Sequence, residues 1–100
     1  MQNFRAAVAA NPKYKEALFE LGKSELAAGD TGLAIEHLRR AIALDADYFE
    51  AHYVLGTALR KQGRTAEGLR ESQIAEQIQA RQRAEQREKV VPGTPATKRN

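Results

Sequence analysis

The chain has 100 residues, of which 42% are hydrophobic and 29% charged, so it is long enough for one small packed domain and unlike a disordered or collagen-like chain. It contains no cysteine, which excludes disulfide scaffolds, thiolate nucleophiles and cysteine-based zinc sites. The longest apolar run covers only residues 6–10, which is shorter than a membrane helix or the core of a signal peptide requires. These features predict a cytoplasmic protein without a membrane segment.

The net charge of +3 belongs to the C-terminal part of the sequence. Residues 1–80 carry 10 Lys and Arg against 11 Asp and Glu, a balance of −1, whereas residues 81–100 carry 6 against 2, a balance of +4. A near-neutral body argues against a broad nucleic-acid-binding face. Binding of nucleic acid by the basic tail alone is also disfavoured, because no aromatic side chains accompany its cations.

Five helices are predicted in chain order. A short apolar stripe of Phe4, Ala7 and Val8 predicts a helix over 2–10 that ends before Pro12, because proline cannot continue the hydrogen-bond ladder. Apolar residues at helical spacing predict helices over 14–28, 32–44, 48–61 and 66–88. The turns fall at 29–32 and 63–65, where glycine can adopt the left-handed conformation that ends a helix. We expect residues 90–100 to be disordered.

The sequence repeats itself at a spacing of 34 residues. Block 14–47 matches block 48–81 at nine positions, which are mostly small residues, turn glycines and a Leu-Gly pair. They are Tyr14/Tyr48, Glu16/Glu50, Ala17/Ala51, Leu21/Leu55, Gly22/Gly56, Gly29/Gly63, Thr31/Thr65, Ala41/Ala75 and Ala46/Ala80. A fixed period of this length is typical of stacked helical units.

This pattern resembles the tetratricopeptide repeat (TPR) family, whose signature is Trp-x2-Leu-Gly-x2-Tyr, then Ala-x3-Phe, then Pro. The corresponding residues of the first block are Leu18, Leu21, Gly22, Glu25, Ala34, Leu38 and Ala46. Those of the second block are His52, Leu55, Gly56, Leu59, Gly68, Ser72 and Ala80. The sequence departs from the family at His52 and Ser72, where large hydrophobic residues are usual. A polar residue at Ser72 suits the outer face of a terminal unit.

The resemblance implies an all-α solenoid of stacked antiparallel helical hairpins, about two and a half units long. The half unit would cover 1–13, the full units 14–47 and 48–81, and a protruding helix end with a disordered basic tail 82–100. Close packing within the stack is assigned to Leu18, Leu21, Gly22, Ala34, Leu38, Ala41, Leu55, Gly56, Gly68 and Ala75.

The resemblance also implies a protein-interaction module, in which the first helix of each hairpin lines a concave groove that binds a peptide segment of a partner protein. Carried onto this sequence, the groove residues are Phe19, Lys23, Leu26, Tyr53, Thr57, Arg60 and Lys61. Two aromatic residues and several cations could accept an apolar side chain and an acidic group or a C-terminal carboxylate. The paired Lys and Asn of the family's carboxylate clamp are not matched, because Phe19 and Lys23 stand there.

The alternative function is a self-associating scaffold, a homo-oligomer formed through the open edge of the leading half unit at Phe4 and Val8. Catalysis is not expected, because no nucleophile is placed beside a base and the carboxylates are dispersed. The two histidines, His37 and His52, lie on different helices without the spacing of a metal site, and we expect a solvated His37 and a core-edge His52. No cofactor is predicted.

Overall fold

Four α-helices form the part of the protein that the computed structural model describes, which is residues 14–90, with side chains over 14–87. They are α1 (Lys15–Ala28), α2 (Thr31–Leu44), α3 (Phe49–Lys61) and α4 (Thr65–Val90), and residues 14–90 contain no strand. Each lies within two residues of a predicted helix at both ends. The predicted helix over 2–10 and the predicted disordered tail over 91–100 fall outside the described residues.

The helices pair as two antiparallel hairpins, α1 with α2 and α3 with α4. Both hairpins turn at a glycine with positive φ, Gly29 at 92° and Gly63 at 81°. The N–H of Gly29 donates to the carbonyl of Leu26, and the same bond in the second hairpin joins Gly63 to Arg60. The sequence therefore dictates the same tight turn twice, because only glycine adopts this conformation without steric cost.

Glycine also lets the two helices of each hairpin approach closely. A Cβ added at Gly22 of α1 would lie 2.8 Å from Leu38 Cγ and 3.4 Å from the Ala34 carbonyl oxygen on α2. A Cβ at Gly56 of α3 would lie 2.8 Å from both the Gly68 carbonyl oxygen and Ser72 Oγ on α4. Because Gly22 and Gly56 are 34 residues apart and their neighbours are as well, the two glycines occupy equivalent surroundings.

The core joins both hairpins in one cluster. It is built from residues of α1, α2 and α3, and all ten residues assigned to packing from the sequence are buried. The buried apolar side chains of the cluster are Leu18, Phe19, Ala34, Ile35, Leu38, Ala41, Ala51, Leu55, Ala58 and Leu59. Since α3 packs against both helices of the first hairpin, the second hairpin stacks on the first.

The last helix continues beyond the length of its counterpart α2. Leu44 ends α2, whereas the equivalent Ile78 lies well inside α4, which runs to Val90. The first turn of this extension is tied to the α2–α3 loop, because the Arg81 guanidinium forms an ion pair with Asp47 at 2.7 Å and the Gln82 amide donates to the Asp47 carbonyl oxygen. Residues 81–87 are exposed.

Candidate functional site

The side chains assigned to the groove from the sequence fall into three groups on α1 and α3. Lys23, Tyr53, Arg60 and Lys61 are exposed, Leu26 and Thr57 are half-buried, and Phe19 is buried with only 8% of its surface exposed. The exposed members lie on α1 and α3, the first helices of the two hairpins.

Phe19 and Tyr53 occupy equivalent positions but have different surroundings. The Phe19 ring packs against Tyr48, with ring centroids 5.1 Å apart, and Lys23 Nζ lies 5.1 Å from the Phe19 centroid. Tyr53 is 55% exposed, and the residue that stands in the place of Tyr48 one unit further on is Gln82, within α4. Phe19 is therefore part of the packing between hairpins, whereas its counterpart Tyr53 is open to solvent.

Leu26 and Arg60 are equivalent too, and neither lies simply on an open groove. Leu26 packs against the core cluster. The Arg60 guanidinium turns toward α4, where its Nη1 donates to Ser72 Oγ at 2.9 Å. The sequence pattern could not separate these environments, because it assigns one helical face to both hairpins, whereas among helices α1–α4 only the first hairpin has a following helix packed on it.

Tyr48 lies near the starts of α1 and α3, where the carboxylates of Glu16 and Glu50 are placed. Lys15 Nζ donates to Asp45 Oδ2 and lies 5.2 Å from the centroid of the Tyr48 ring, so this end of α1 is tied to the loop before α3. The hydrogen bond with Asp45 raises the pKa of Lys15, and the same bond lowers the pKa of Asp45. Burial raises the pKa of the Tyr48 hydroxyl to about 12, and the carboxylates of Glu16 and Glu50 add to this rise.

The raised pKa of Tyr48 predicts that the folded protein loses stability in strong alkali. Its ordinary pKa is 10.0 and its pKa in the folded protein is about 12, so between these pH values the unfolded chain ionises before the folded one. The contribution of Tyr48 is therefore complete below pH 10 and declines as the pH rises toward 12. We expect a spectrophotometric titration of the folded protein to show one tyrosine with a midpoint near 12. This component should be absent from Tyr48→Phe, and its persistence in that variant would contradict the assignment.

Two buried histidine–carboxylate contacts were not expected from the sequence. His37 Nδ1 on α2 lies 2.7 Å from Oε1 of Glu25, a fully buried residue of α1. His52 on α3 is 7% exposed; its Nδ1 lies 2.7 Å from Glu71 Oε1 on α4, and its Nε2 lies 2.9 Å from the Ala46 carbonyl oxygen. The expectation of a solvated His37 is wrong, because its side chain is only 15% exposed.

The sequence did contain a signal for these contacts. Glu25 and His52 stand where the repeat signature has large aromatic residues, and His37 and Glu71 occupy equivalent positions on the second helices. Each hairpin thus joins its two helices through one histidine and one glutamate, with the two residue types exchanged between the helices. Buried polar groups require such partners, because an unpaired one costs free energy in the core.

Among the described side chains, those of residues 14–87, no group of three or more His, Cys, Asp or Glu is placed to hold a metal ion. None of the four described helices is long and apolar enough to cross a membrane. Phe4 and Val8, the predicted self-association edge, lie outside the described residues, so that role stays a prediction, as does the absence of catalysis.

Comparison with known proteins identifies the class of this helical stack. Residues 22–63 match the family model described as TPR repeat. The crystal structure of MamA is similar, with a TM-score of 0.77 and 22% sequence identity over 81% of this chain and 47% of that chain, so the present chain spans about half the length of that protein. No curated protein sequence matches the chain. The predicted TPR resemblance and the all-α solenoid fold are confirmed.

Proposed function

We propose that this protein binds a peptide segment of a partner protein across the exposed surfaces of α1 and α3. The observation that carries the proposal is Tyr53, an aromatic side chain that is 55% exposed on the first helix of the second hairpin. An aromatic ring of this kind offers a large contact area at low cost in side-chain entropy, which is why such residues dominate binding energies.

The side chains around Tyr53 supply the polar part of the site. Thr57 and Lys61 follow it along α3 at helical spacing, and Lys61 is exposed. On α1, Lys23 is exposed but lies 3.6 Å from Glu20, so part of its charge is already compensated. Lys61 is therefore the cation that we assign to an acidic side chain or a C-terminal carboxylate of the bound segment.

The charges of the surface also give the bound segment a direction. Glu16 and Glu50 lie near the starts of α1 and α3, around Tyr48, while Lys23 lies midway along α1 and Lys61 ends α3. A segment with its acidic group at the lysine end would have favourable electrostatic interactions there and would avoid the carboxylates at the other end. Phe19 is not included as an anchor, since Tyr48 covers it.

The binding prediction is tested by capture of partner proteins on the immobilised full chain. Tyr53→Ala is expected to abolish capture of the partner that the wild-type chain retains, and Lys61→Glu to weaken it, with helicity by circular dichroism unchanged for both. Leu33→Ala is the matched control, because Leu33 is an exposed apolar residue, 44% accessible, on α2. Undiminished capture by Tyr53→Ala, or an equal loss with Leu33→Ala, would contradict the proposed site.

A further inference from the structure

The second hairpin ends the described stack with a face that no following helix covers. We call it the terminal face, and it consists of Arg60 on α3 and Leu69, Ser72 and Glu76 on α4. The equivalent residues of the first hairpin, 34 positions earlier, are all apolar. They are Leu26, Ile35, Leu38 and Ile42, which belong to the core cluster or pack against it.

No helix within residues 14–90 covers this hairpin, and two of its large apolar side chains are exposed. Ile35 is 7% exposed and its counterpart Leu69 is 53% exposed, while Phe19 is 8% exposed and its counterpart Tyr53 is 55% exposed. Leu69 and Tyr53 are the two most exposed large hydrophobic residues among the described part of the chain. Both occupy positions that the stack buries one unit earlier, so this surface has the form of a helix-binding face.

Arg60 is held in place at the centre of the terminal face. A Cβ on Gly68 would lie 2.7 Å from Arg60 Cγ, so the absence of a side chain at Gly68 lets the arginine stem lie across α4. The guanidinium donates to Ser72 Oγ at 2.9 Å and to Thr57 Oγ1 at 3.4 Å. These partners are neutral hydroxyls and use only two of its five N–H donors. The positive charge is therefore ordered in advance and complementary to a carboxylate.

We propose that the terminal face binds an amphipathic helix of a partner protein, seated on α3 and α4 as α3 is seated on α1 and α2, with a carboxylate of that helix facing Arg60. Because the terminal face combines Leu69 with polar residues, it suits a partner that binds reversibly better than a permanently buried interface. Helix α1 of a second copy is a poor occupant of the terminal face. Its residues Ala17 and Leu21, which correspond to Ala51 and Leu55 of α3, are already buried, with only 4% and 2% of their surface exposed. This surface adjoins the peptide site on α1 and α3, because Tyr53 is the counterpart of Phe19, which Tyr48 covers in the first hairpin.

The probe is a synthetic peptide with the sequence of residues 47–61, since α3 is the helix known to fit the equivalent face. Ala58 of α3 is fully buried and belongs to the core cluster that α3 shares with the first hairpin, so the test charge is placed at this position. Two peptides, one with Ala58→Glu and one with Ala58→Lys, are titrated into the isotope-labelled full chain and followed by NMR. We expect the Ala58→Glu peptide to bind about two- to fivefold more tightly, the effect of one partly exposed ion pair.

Substitutions in the protein separate this surface from others. Arg60→Glu should reverse the preference so that the Ala58→Lys peptide binds more tightly, whereas Arg39→Glu, a charge reversal on the exposed part of α2, should leave the preference unchanged. Leu69→Ala should weaken both peptides and Leu33→Ala neither. Lys61→Glu, which tests the peptide site of the proposed function, should not reverse the preference.

Three results would overturn the proposal. They are equal binding of the two peptides, an equal response to Arg39→Glu, and chemical-shift changes centred on the first hairpin or along α1 rather than at 60, 69 and 72. None of these results bears on the peptide site around Tyr53, so the two proposals can fail separately.

Discussion

Leu55→Ala and Leu21→Ala are each expected to lower the free energy of unfolding by about 2–5 kcal/mol, as for other buried leucines. Leu55 is 1% exposed and Leu21 is 2% exposed, so truncation leaves a cavity in addition to the lost burial. The loss at Leu55 should be at least as large as that at Leu21, because Leu55 belongs to the cluster that both hairpins share. Urea denaturation followed by circular dichroism measures both changes.

Leu33→Ala is the control for the leucine pair, since Leu33 is 44% exposed and lies on α2. A substitution at such a position is expected to change stability by no more than about 0.5 kcal/mol. If Leu55→Ala unfolded at the same urea concentration as Leu33→Ala, the stacking of the two hairpins would have to be rejected.

The repeat made most of the fold predictable from the sequence. Turn glycines, the Leu-Gly pairs and the helical spacing of apolar residues each depend on local geometry, which the sequence records directly. For this reason the helix ends near Gly29 and Gly63 and the burial of Gly22 and Gly56 agree with expectation. Such features follow from the residues within one hairpin and need no knowledge of its neighbours.

The candidate site was less predictable, because it depends on what packs next to each hairpin. The repeat pattern assigns Phe19 and Tyr53 to the same role. In the structure, Tyr48 covers Phe19, whereas Tyr53 is exposed. Similarly, Leu26 packs against the core cluster, whereas the equivalent Arg60 donates a hydrogen bond to Ser72. The partial burial of His37 and the glutamate partners of both histidines were also missed, since a histidine–glutamate contact between two helices depends on side-chain partners rather than on periodicity.

Gly68→Ala and Gly56→Ala are expected to destabilise the protein by about 1–3 kcal/mol, the usual cost of overpacking a close contact. A Cβ at Gly68 would lie 2.6 Å from the Gly56 carbonyl oxygen, and one at Gly56 would lie 2.8 Å from the Gly68 carbonyl oxygen. Backbone atoms cannot rotate away as side chains do, so α3 and α4 would have to separate. This cost opposes a gain of about 1 kcal/mol from the higher helix propensity of alanine.

Gly22 and Gly32 provide graded comparisons for these substitutions. The Cβ of Gly22→Ala would meet mainly the Leu38 side chain, which has some freedom to adjust, so its cost should be smaller than that of Gly68→Ala. At Gly32, the nearest atom is Gln62 Nε2 at 3.8 Å, so Gly32→Ala should gain helix propensity without a clash and leave the protein equally or more stable. Urea midpoints are expected to fall in the order Gly32→Ala, Gly22→Ala, Gly68→Ala. A Gly68→Ala variant as stable as Gly32→Ala would show that the second hairpin is not held by direct contact of its helix backbones.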